Sequence, residues 1–379
     1  MRQIALIGST GSVGTQALDV VRENPEQFRI AALTAHKNLD LLLKQIEEFH
    51  PRAVGISDEQ TYRTAKQIIH TDCELFGGEN AHVEAMLASK ADTSLISVVG
   101  FPGFAPLRES IIHGLKTCVA NKESIVCGGA AITGLLKKYN ARLYPVDSEH
   151  SAIFQCLEGN REQKIRRILL TCSGGPFRTW KKEEIEKATV EQALKHPKWN
   201  MGQKISIDSA TLANKGLEVL EARWLFDVPV EQVEVIVHPE SIVHSMVEYQ
   251  DRSVLAQMGV PDMKLPIQVA LGYPKRLENG PKAVDFISLG QLHFEAPDTN
   301  RFPCLALAYE AGRRGGMSPI AFNAANELAV ARYQAHKIGF YEIAEIIEKA
   351  MGKFSGGKEP SLDEILEIDR QVRLFVETI

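Results

Sequence analysis

The sequence predicts an α/β protein with three successive parts: a doubly wound, mainly parallel sheet, an α+β region with a mostly antiparallel sheet, and a helical domain. Short apolar runs alternate with helical periodicity up to about residue 150, as in strand–helix–strand units. Residues 234–258 instead alternate apolar and polar side chains, as antiparallel strands with one exposed face do. From residue 304 onward the pattern is helical.

The individual elements follow from the apolar runs and the turn residues between them. In the first part we predict strands at 4–7, 29–34, 53–56, 95–99, 117–120 and 143–146, with helices at 15–22 and 39–49. Beyond it we predict a strand at 164–172 and two strands within 234–258 that turn at 251–253. The predicted domains are 1–146, 147–272, a Pro- and Gly-rich linker at 273–300, and a helical domain at 301–379.

Composition excludes several classes of protein. With 379 residues, of which 44% are hydrophobic and 24% charged, the chain is expected to be soluble and to have more than one core. A net charge of −5 gives no electrostatic footprint for nucleic acid. The six cysteines form no C-x-x-C pair, which favours reduced thiols in the cytoplasm. We expect neither a signal peptide nor a membrane span, because residues 2–8 lead directly into a strand and no 18-residue apolar run exists.

The first motif is a glycine-rich loop. Gly8, Gly11 and Gly14 are three residues apart and lie between a predicted strand and a predicted helix. In a Rossmann-like domain such glycines allow a tight turn and a close approach of the helix N-terminus to a pyrophosphate. A tight turn without a ligand is the alternative, but the position favours dinucleotide binding.

The residues after the second predicted strand indicate which dinucleotide is bound. An NAD site usually has an acidic residue there, which binds the ribose hydroxyls. This chain has His36, Lys37 and Asn38 instead. A cation suits a 2′-phosphate, so NADP is favoured over NAD; the alternative is an ordinary surface lysine.

Three carboxylates suggest a metal site. Asp147 and Glu149 follow a predicted strand, and two residues two apart on an extended segment point the same way. Glu218 lies in a predicted helix and shares a face with Asn214 and Lys215. Three oxygen ligands suit Mg²⁺ or Mn²⁺. Ordinary helix caps and solvated carboxylates are the alternative.

Other polar stretches have the composition of a substrate site. Residues 121–124 follow a predicted strand, which places Lys122 in the crevice where open α/β sheets bind ligands. The alternative is a solvated helix start with Asn121 as its cap. Ser173, Ser209 and Lys215 are suited to a phosphate. Trp199, in the loop 196–202, is interpreted either as a core residue or as the aromatic anchor of a closing lid. His238 and His244 are interpreted as structural.

Together these stretches resemble the 1-deoxy-D-xylulose 5-phosphate reductoisomerase family. The resemblance extends over essentially the whole chain, and its motifs are specific. The matching stretches are 8–14, 115–124, 145–150, 173–178, 196–202, 207–211, 214–218 and 323–327.

The resemblance implies an oxidoreductase of the non-mevalonate isoprenoid pathway. Such an enzyme rearranges 1-deoxy-D-xylulose 5-phosphate with the help of a divalent ion (Mg²⁺, Mn²⁺ or Co²⁺). It then reduces the branched aldehyde with NADPH to 2-C-methyl-D-erythritol 4-phosphate. The resemblance also implies a homodimer, in which residues 1–146 bind NADPH and residues 147–272 form the catalytic and dimerisation domain. The C-terminal helical domain would support the catalytic domain.

The resemblance also assigns roles to individual residues. The residues implied for NADPH are Thr10, Gly11, Ser12, Val13, Lys37, Asn38 and Asn121, with Glu123 and Gly202 nearby. The implied metal ligands are Asp147, Glu149 and Glu218. The implied substrate residues are Lys122, Ser148, Glu149, Ser173, His196, Ser209, Asn214, Lys215 and Glu218, among which Lys122, Glu149 and His196 are the catalytic candidates. His36 departs from the Gly-Lys-Asn that the family often has there.

Two other functions compete with this interpretation. The first is an NADP-dependent semialdehyde or sugar-phosphate dehydrogenase without isomerisation, which needs no metal site. The second is a nucleotide-sensing regulatory protein, which would not consume NADPH.

Overall fold

The computed structural model describes residues 1–70, 72–160, 162–199 and 201–379. These residues form two compact units. The first unit contains 1–124, 134–151 and 262–281, and the second contains 125–133, 152–261 and 282–379. The division into four parts at residues 146, 272 and 300 remains a prediction.

The strands are named in chain order. They are β1 (Arg2–Ile7), β2 (Phe28–Ala35), β3 (Ala53–Ile56), β4 (Glu74–Gly77), β5 (Thr93–Ile96), β6 (Lys116–Val119), β7 (Leu143–Pro145), β8 (Ile165–Cys172), β9 (Val233–Val237), β10 (Val243–Tyr249) and β11 (Val254–Met258).

The helices are named in the same way. They are α1 (Ser12–Glu23), α2 (Leu39–Phe49), α3 (Glu59–Ile68), α4 (Ala81–Ala88), α5 (Phe104–Ile112), α6 (Lys122–Lys138), α7 (Ser148–Cys156), α8 (Lys182–Ile185), α9 (Val190–Ala193), α10 (Gln203–Thr211), α11 (Ala213–Leu225), α12 (Lys264–Gly272), α13 (Phe286–Leu289), α14 (Pro303–Arg314), α15 (Ser318–Gln334), α16 (Glu342–Lys353) and α17 (Leu362–Glu377). Short 3-10 helices occupy Phe101–Gly103 and Val230–Gln232.

The first unit is built on a parallel sheet, as predicted. Among its described residues, seven strands pair in the order β4-β3-β2-β1-β5-β6-β7. The central strand β1 is apolar and buried at Ile4–Ile7 because it has a neighbour on each side and helices above and below. The edge strand β4 was not predicted. Its residues are at most half-buried, so its sequence lacks the continuous apolar run of a central strand.

The second unit contains a mixed sheet in the order β11-β10-β8-β9. Strand β10 is antiparallel to β11 and β8, whereas β8 and β9 are parallel, so the mostly antiparallel prediction is confirmed. Residues 233–258 form three strands, however, and the prediction of two is wrong. Pro239 cannot donate to a ladder and Ser241 has a φ of +55°, so the chain turns between β9 and β10. The turn predicted at 251–253 is confirmed, with Arg252 at a φ of +73°.

The C-terminal part is helical, as predicted, and belongs to the core of the second unit. Helix α15 is buried along most of its length and packs against α16 and α17. Phe177 is fully buried and contacts Phe340 edge-on, with ring centroids 5.3 Å apart. Throughout the described part of the chain, every helix is too short or too polar to cross a bilayer.

Candidate active site

The predicted cofactor, metal and substrate residues of the first unit lie where parallel strands end. The glycine loop follows β1, His36–Asn38 follow β2, Asn121–Glu123 follow β6, and Asp147–Glu149 follow β7. The carboxyl ends of parallel strands lie at one edge of a sheet, and ligands bind there in open α/β folds. The first unit therefore gathers these residues at its ligand-binding edge.

The glycine loop has the strand–loop–helix context that was predicted. Helix α1 begins at Ser12, directly after Gly11, and its first turn has no acidic residue. A Cβ atom at Gly14 would lie 2.2 Å from the carbonyl oxygen of Gly8, and Gly8 itself has a φ of +91°. Both glycines are thus required by the turn, which leaves the N–H groups of Ser12 and Val13 at a helix N-terminus suited to a phosphate.

The loop after β2 contains an interaction that the sequence did not predict. Lys37 is mostly exposed, and its Nζ lies 3.7 Å from the carboxylate of Asp58, which follows β3. Hydrogen bonds from Thr61 are the main cause of the lowered pKa of Asp58. Asn38 caps α2 by accepting from the N–H of Leu41, and His36 Nδ1 lies 3.0 Å from Ser57 Oγ. An acid therefore does lie near this loop, but it pairs with the lysine.

Asn121 both caps a helix and holds the neighbouring loop. Its side chain accepts from the N–H of Ser124 at the start of α6 and donates to the carbonyls of Val98 and Gly100, at 2.9 and 2.7 Å. A Cβ at Gly103 would lie 2.4 Å from the Asn121 side chain. The capping interpretation is confirmed, and the same bonds fix the residue that follows, Lys122.

Lys122 and Asp147 form an ion pair in the first unit, in which Lys122 is buried and Asp147 is largely buried. Their Nζ and Oδ2 atoms are 2.6 Å apart. Burial alone would raise the pKa of Asp147, but the Lys122 ammonium and the His150 ring, whose Nδ1 lies 3.4 Å from Asp147 Oδ1, hold that pKa well below its usual range. Asp147 is therefore an ionised carboxylate.

The predicted extended geometry of Asp147 and Glu149 is wrong. Helix α7 begins at Ser148, so Glu149 lies in the first helical turn. The Glu149 N–H donates to Asp147 Oδ1 at 3.3 Å, and Ser148 Oγ donates to Glu149 Oε2 at 2.5 Å. Asp147 caps the start of α7 with its carboxylate, so residues 147–149 form a helix start and not an extended segment.

In the second unit, the predicted shared face of α11 is confirmed. Asn214 Nδ2 donates to Glu218 Oε1 at 2.5 Å, and the Lys215 ammonium donates to Glu218 Oε2. Lys215, Glu218 and the next acid along the helix, Glu221, are almost fully buried. A buried carboxylate with a cation and an amide beside it is the expected arrangement in a polar active site.

Ser173 and His196 contact each other in the second unit. Their Oγ and Nε2 atoms are 2.8 Å apart, and the N–H of Gly175 also donates to Ser173 Oγ. His196 Nδ1 accepts from the N–H groups of Lys198 and Trp199. Burial lowers the pKa of His196 to about 4, so the ring is neutral and Nε2 carries its proton. Both Ser173 lone pairs are then occupied, which leaves its O–H to donate to a ligand.

A close backbone approach brings Ser209 to this turn. Gly175 has a φ of +71°, and a Cβ there would lie 2.6 Å from the carbonyl oxygen of Ser209. The neighbouring Asp208 accepts from Lys204 and from Asn326 Nδ2, at 2.7 and 2.9 Å. Asp208 and Asn326 were not predicted as site residues, because neither follows a strand. They hold α10, the helix that contains Ser209, by their bond to each other.

The loop 196–202 is described apart from Asn200, which lies outside the described residues. The Trp199 ring lies beside His244, with centroids 6.4 Å apart. Gly202 caps α10. His238 Nδ1 donates to the carbonyl of His293 and Nε2 accepts from Ile242, as a structural histidine does. Closure of a lid here remains a prediction.

Comparisons with known proteins cover the chain almost completely. Its residues 4–129 match the model of 1-deoxy-D-xylulose 5-phosphate reductoisomerase, and residues 143–226 and 258–375 match models of the C-terminal domains of that enzyme. The reductoisomerase of Chloroherpeton thalassium is 48% identical, over 99% of this chain and 97% of that one. The reductoisomerase of Clostridium perfringens is 47% identical, over 99% of each.

Solved structures agree with the sequence comparison. The Zymomonas mobilis reductoisomerase in complex with NADPH is 41% identical, with a TM-score of 0.91 over 100% of this chain and 98% of that one. A reductoisomerase in complex with NADPH, fosmidomycin and magnesium is 38% identical, with a TM-score of 0.95 and the same coverage.

The neutral state of His196 is testable by NMR. We expect the ring of His196 to titrate near pH 4 in the free protein, because burial disfavours the imidazolium. Since the folded pKa lies below the unfolded value, the folded state loses stability relative to the unfolded state as pH falls through the range between them. The histidine C–H signals of wild-type and His196→Asn proteins identify the resonance. A midpoint at the ordinary histidine value would contradict the neutral tautomer and the O–H direction derived from it.

Proposed function

The chain belongs to the 1-deoxy-D-xylulose 5-phosphate reductoisomerase family, and we propose that it converts 1-deoxy-D-xylulose 5-phosphate into 2-C-methyl-D-erythritol 4-phosphate. The observation that carries this proposal is the ligand edge of the first unit. There the glycine loop of a dinucleotide site and the Lys122–Asp147 pair follow strands of one parallel sheet. A plain dehydrogenase has no need of this buried carboxylate.

NADPH is the proposed reductant, and it supplies the hydride. Thr10, Gly11, Ser12 and Val13 offer the hydroxyls and N–H groups of the loop and the start of α1 to the pyrophosphate. Lys37 and Asn38 lie at the end of β2, where a 2′-phosphate is expected. Asn121, Glu123 and Gly202 complete the proposed set.

Asp147, Glu149 and Glu218 are the proposed ligands of one divalent ion, Mg²⁺, Mn²⁺ or Co²⁺. The residues fit such an ion, because all three offer hard oxygen donors and Asp147 is held ionised. The ion would supply Lewis-acid stabilisation of the oxyanion that develops during rearrangement. Glu149, in the first turn of α7, is also a catalytic candidate.

The phosphate of the substrate is proposed to bind in the second unit. Both lone pairs of Ser173 Oγ accept hydrogen bonds within the protein, so its O–H is left to donate to the phosphate. The turn at Gly175 lies close to the backbone of Ser209. Lys215 adds positive charge to this group. The substrate residues are completed by Lys122, Ser148, His196 and Asn214.

Lys122 and His196 have separate proposed tasks. Lys122, buried and bonded to Asp147, orients or protonates oxygen atoms of the substrate. Neutral His196 holds the Ser173 hydroxyl in its donating direction. The remaining work of the protein is to position the substrate and exclude water.

We also infer a homodimer in the cytoplasm. Strand β11 is an edge of the second sheet and exposes Val254 and Leu255, at 45% and 41%. An edge strand with exposed apolar residues is a site of pairing with another chain. Cys118, Cys156 and Cys304 are buried free thiols, which fits a reducing compartment.

Metal dependence tests the function directly. NADPH oxidation with 1-deoxy-D-xylulose 5-phosphate should stop in EDTA and return with Mg²⁺ or Mn²⁺. Asp147→Asn and Glu218→Gln should each lower turnover at least about 10- to 100-fold, the loss typical even of groups behind a metal ligand. NADPH binding should persist. Glu248→Gln is the matched control, since Glu248 is also a largely buried carboxylate but pairs with Arg166 and Arg167. Full turnover in the presence of chelator would contradict the metal-assisted reaction and favour the NADP-dependent dehydrogenase without isomerisation.

Lys37 tests the cofactor preference. A charge-assisted hydrogen bond is worth ~1.5–3 kcal/mol, so Lys37→Ala should raise the KM for NADPH roughly 10- to 100-fold. The KM for NADH should change little. Lys44→Ala controls for the general loss of charge, since Lys44 is an exposed lysine on α2, the helix that follows Lys37. Equal losses for both cofactors would show that Lys37 does not bind the 2′-phosphate.

The oligomer is tested by placing a charge on β11. Leu255→Lys should shift the molar mass measured by light scattering from dimer towards monomer, because pairing would bury the ammonium. Ile68→Lys is the control, since Ile68 is exposed to a similar degree, at 46%, on α3. A wild-type monomer across the dilution series would refute the dimer, and a Leu255→Lys dimer would refute the β11 contact.

A further inference from the structure

The backbone of the glycine loop is held from behind by a chain of buried side chains. The N–H of Gly8 donates to Thr34 Oγ1 at 3.0 Å. Thr34 Oγ1 in turn lies 2.8 Å from Nδ1 of His82, the second residue of α4. Thr34 and His82 are buried, and all three residues belong to the first unit. His82 thus acts on the loop through one hydroxyl, without being part of it.

Chemistry fixes the direction of the bond from Gly8, and the tautomer of His82 sets the direction of the next bond. A backbone N–H can only donate, so Gly8 occupies a lone pair of Thr34. Burial, followed by the charge of His36, lowers the pKa of His82 to about 4, so the ring is neutral at physiological pH. In the tautomer whose proton is on Nε2, Nδ1 accepts the Thr34 O–H, and the three groups then align as donor, relay and final acceptor; we take this tautomer as part of the proposal below.

A second set of hydrogen bonds holds Ser9, the next residue of the loop. Ser9 donates its N–H to the carbonyl of Thr34 at 2.8 Å and its hydroxyl to Gln45 Oε1 at 2.6 Å. Gln45 Nε2 donates back to the carbonyl of Ser9 at 3.0 Å. Two successive peptide units of the loop are therefore tied to Thr34 on β2 and Gln45 on α2, and His82 on α4 acts on them through Thr34.

We propose that His82 is a positioning residue for the dinucleotide, which holds the Gly8 peptide through Thr34 so that the N–H groups at the start of α1 face the pyrophosphate. The proposal rests on the NADPH site proposed above. Loss of the acceptor at residue 82 frees the Thr34 hydroxyl to rotate, and the Gly8 N–H loses a fixed partner. The loop then samples conformations in which the helix N-terminus is misdirected, and cofactor binding is weakened accordingly.

Three variants separate this role from simple packing. His82→Leu removes the acceptor at similar volume, and should raise the Kd for NADPH, measured by fluorescence titration, roughly 3- to 10-fold, as expected for one neutral hydrogen bond. His82→Asn places an amide oxygen near the position of Nδ1 and should restore most of the affinity. Thr34→Val breaks the same chain at its centre, so adding His82→Leu to it should cost little more. The turnover number at saturating NADPH should stay within about two-fold in all three variants, because the chain touches no reacting atom.

A matched control comes from another buried hydroxyl chain of the same unit. Ser110 lies 2.6 Å from Ser94 and 2.7 Å from Thr117, away from the loop. Ser110→Ala should lower the thermal midpoint without changing the Kd for NADPH. If His82→Leu binds NADPH like wild type, or if His82→Asn is as weak as His82→Leu, the positioning role is refuted. If the wild-type protein itself fails to bind NADPH, it is the proposed function that fails.

Discussion

The interaction on which the candidate site depends is the pairing of buried lysines with carboxylates. In the first unit Lys122 donates to Asp147, and in the second Lys215 donates to Glu218. Lys122 is 5% exposed and Lys215 is 3% exposed. An unpaired charge at such depth costs several kcal/mol, so neither partner tolerates removal of the other. The pairs thus allow each unit to keep charged groups in a dry environment before any ligand arrives.

The backbone of two neighbouring strands and two helix starts brings the members of the first pair together. Lys122 follows β6 and is the first residue of α6, where the Asn121 cap fixes its direction. Asp147 follows the neighbouring strand β7 and caps the start of α7 through the N–H of Glu149. Adjacent parallel strands therefore bring the two charges together, and each helix start holds one of them in place. A shift in strand register would separate them, which couples the site to the core of the sheet.

Sequence patterns predicted the parts of the molecule that local chemistry dictates. The glycine loop, the helix face of Asn214, Lys215 and Glu218, and the parallel sheet are visible in spacing and hydrophobic pattern. The edge strand β4 was missed because an edge needs no apolar run. The extended interpretation of residues 147–149 failed because a helix start and a loop can have the same short sequence.

Contacts between residues that are far apart in the chain could not be predicted from the sequence. The neutral tautomer of His196 depends on the N–H groups of Lys198 and Trp199 and on burial by the rest of the second unit. The bond between Asp208 and Asn326 joins residues 118 positions apart. The role of Thr34 as a relay exists only because α4 places His82 behind β2. Each of these is a hydrogen bond whose partner is chosen by tertiary structure, for which a single sequence has no periodic signal.

Charge pairing also determines how the proposed ligands depend on one another. The carboxylates that accept from Lys122 and Lys215 are among those proposed to bind a divalent ion, and the lysines are among those proposed to bind an anionic substrate. A carboxylate that turns part of its charge towards a metal ion holds its lysine less strongly, and that lysine becomes a better partner for phosphate or enolate oxygens. By linkage, an anion that draws the lysines away leaves the carboxylates with more charge for the metal. Metal and substrate are therefore expected to strengthen each other's binding, while the ion pairs prevent either set of charges from being buried alone in the free protein.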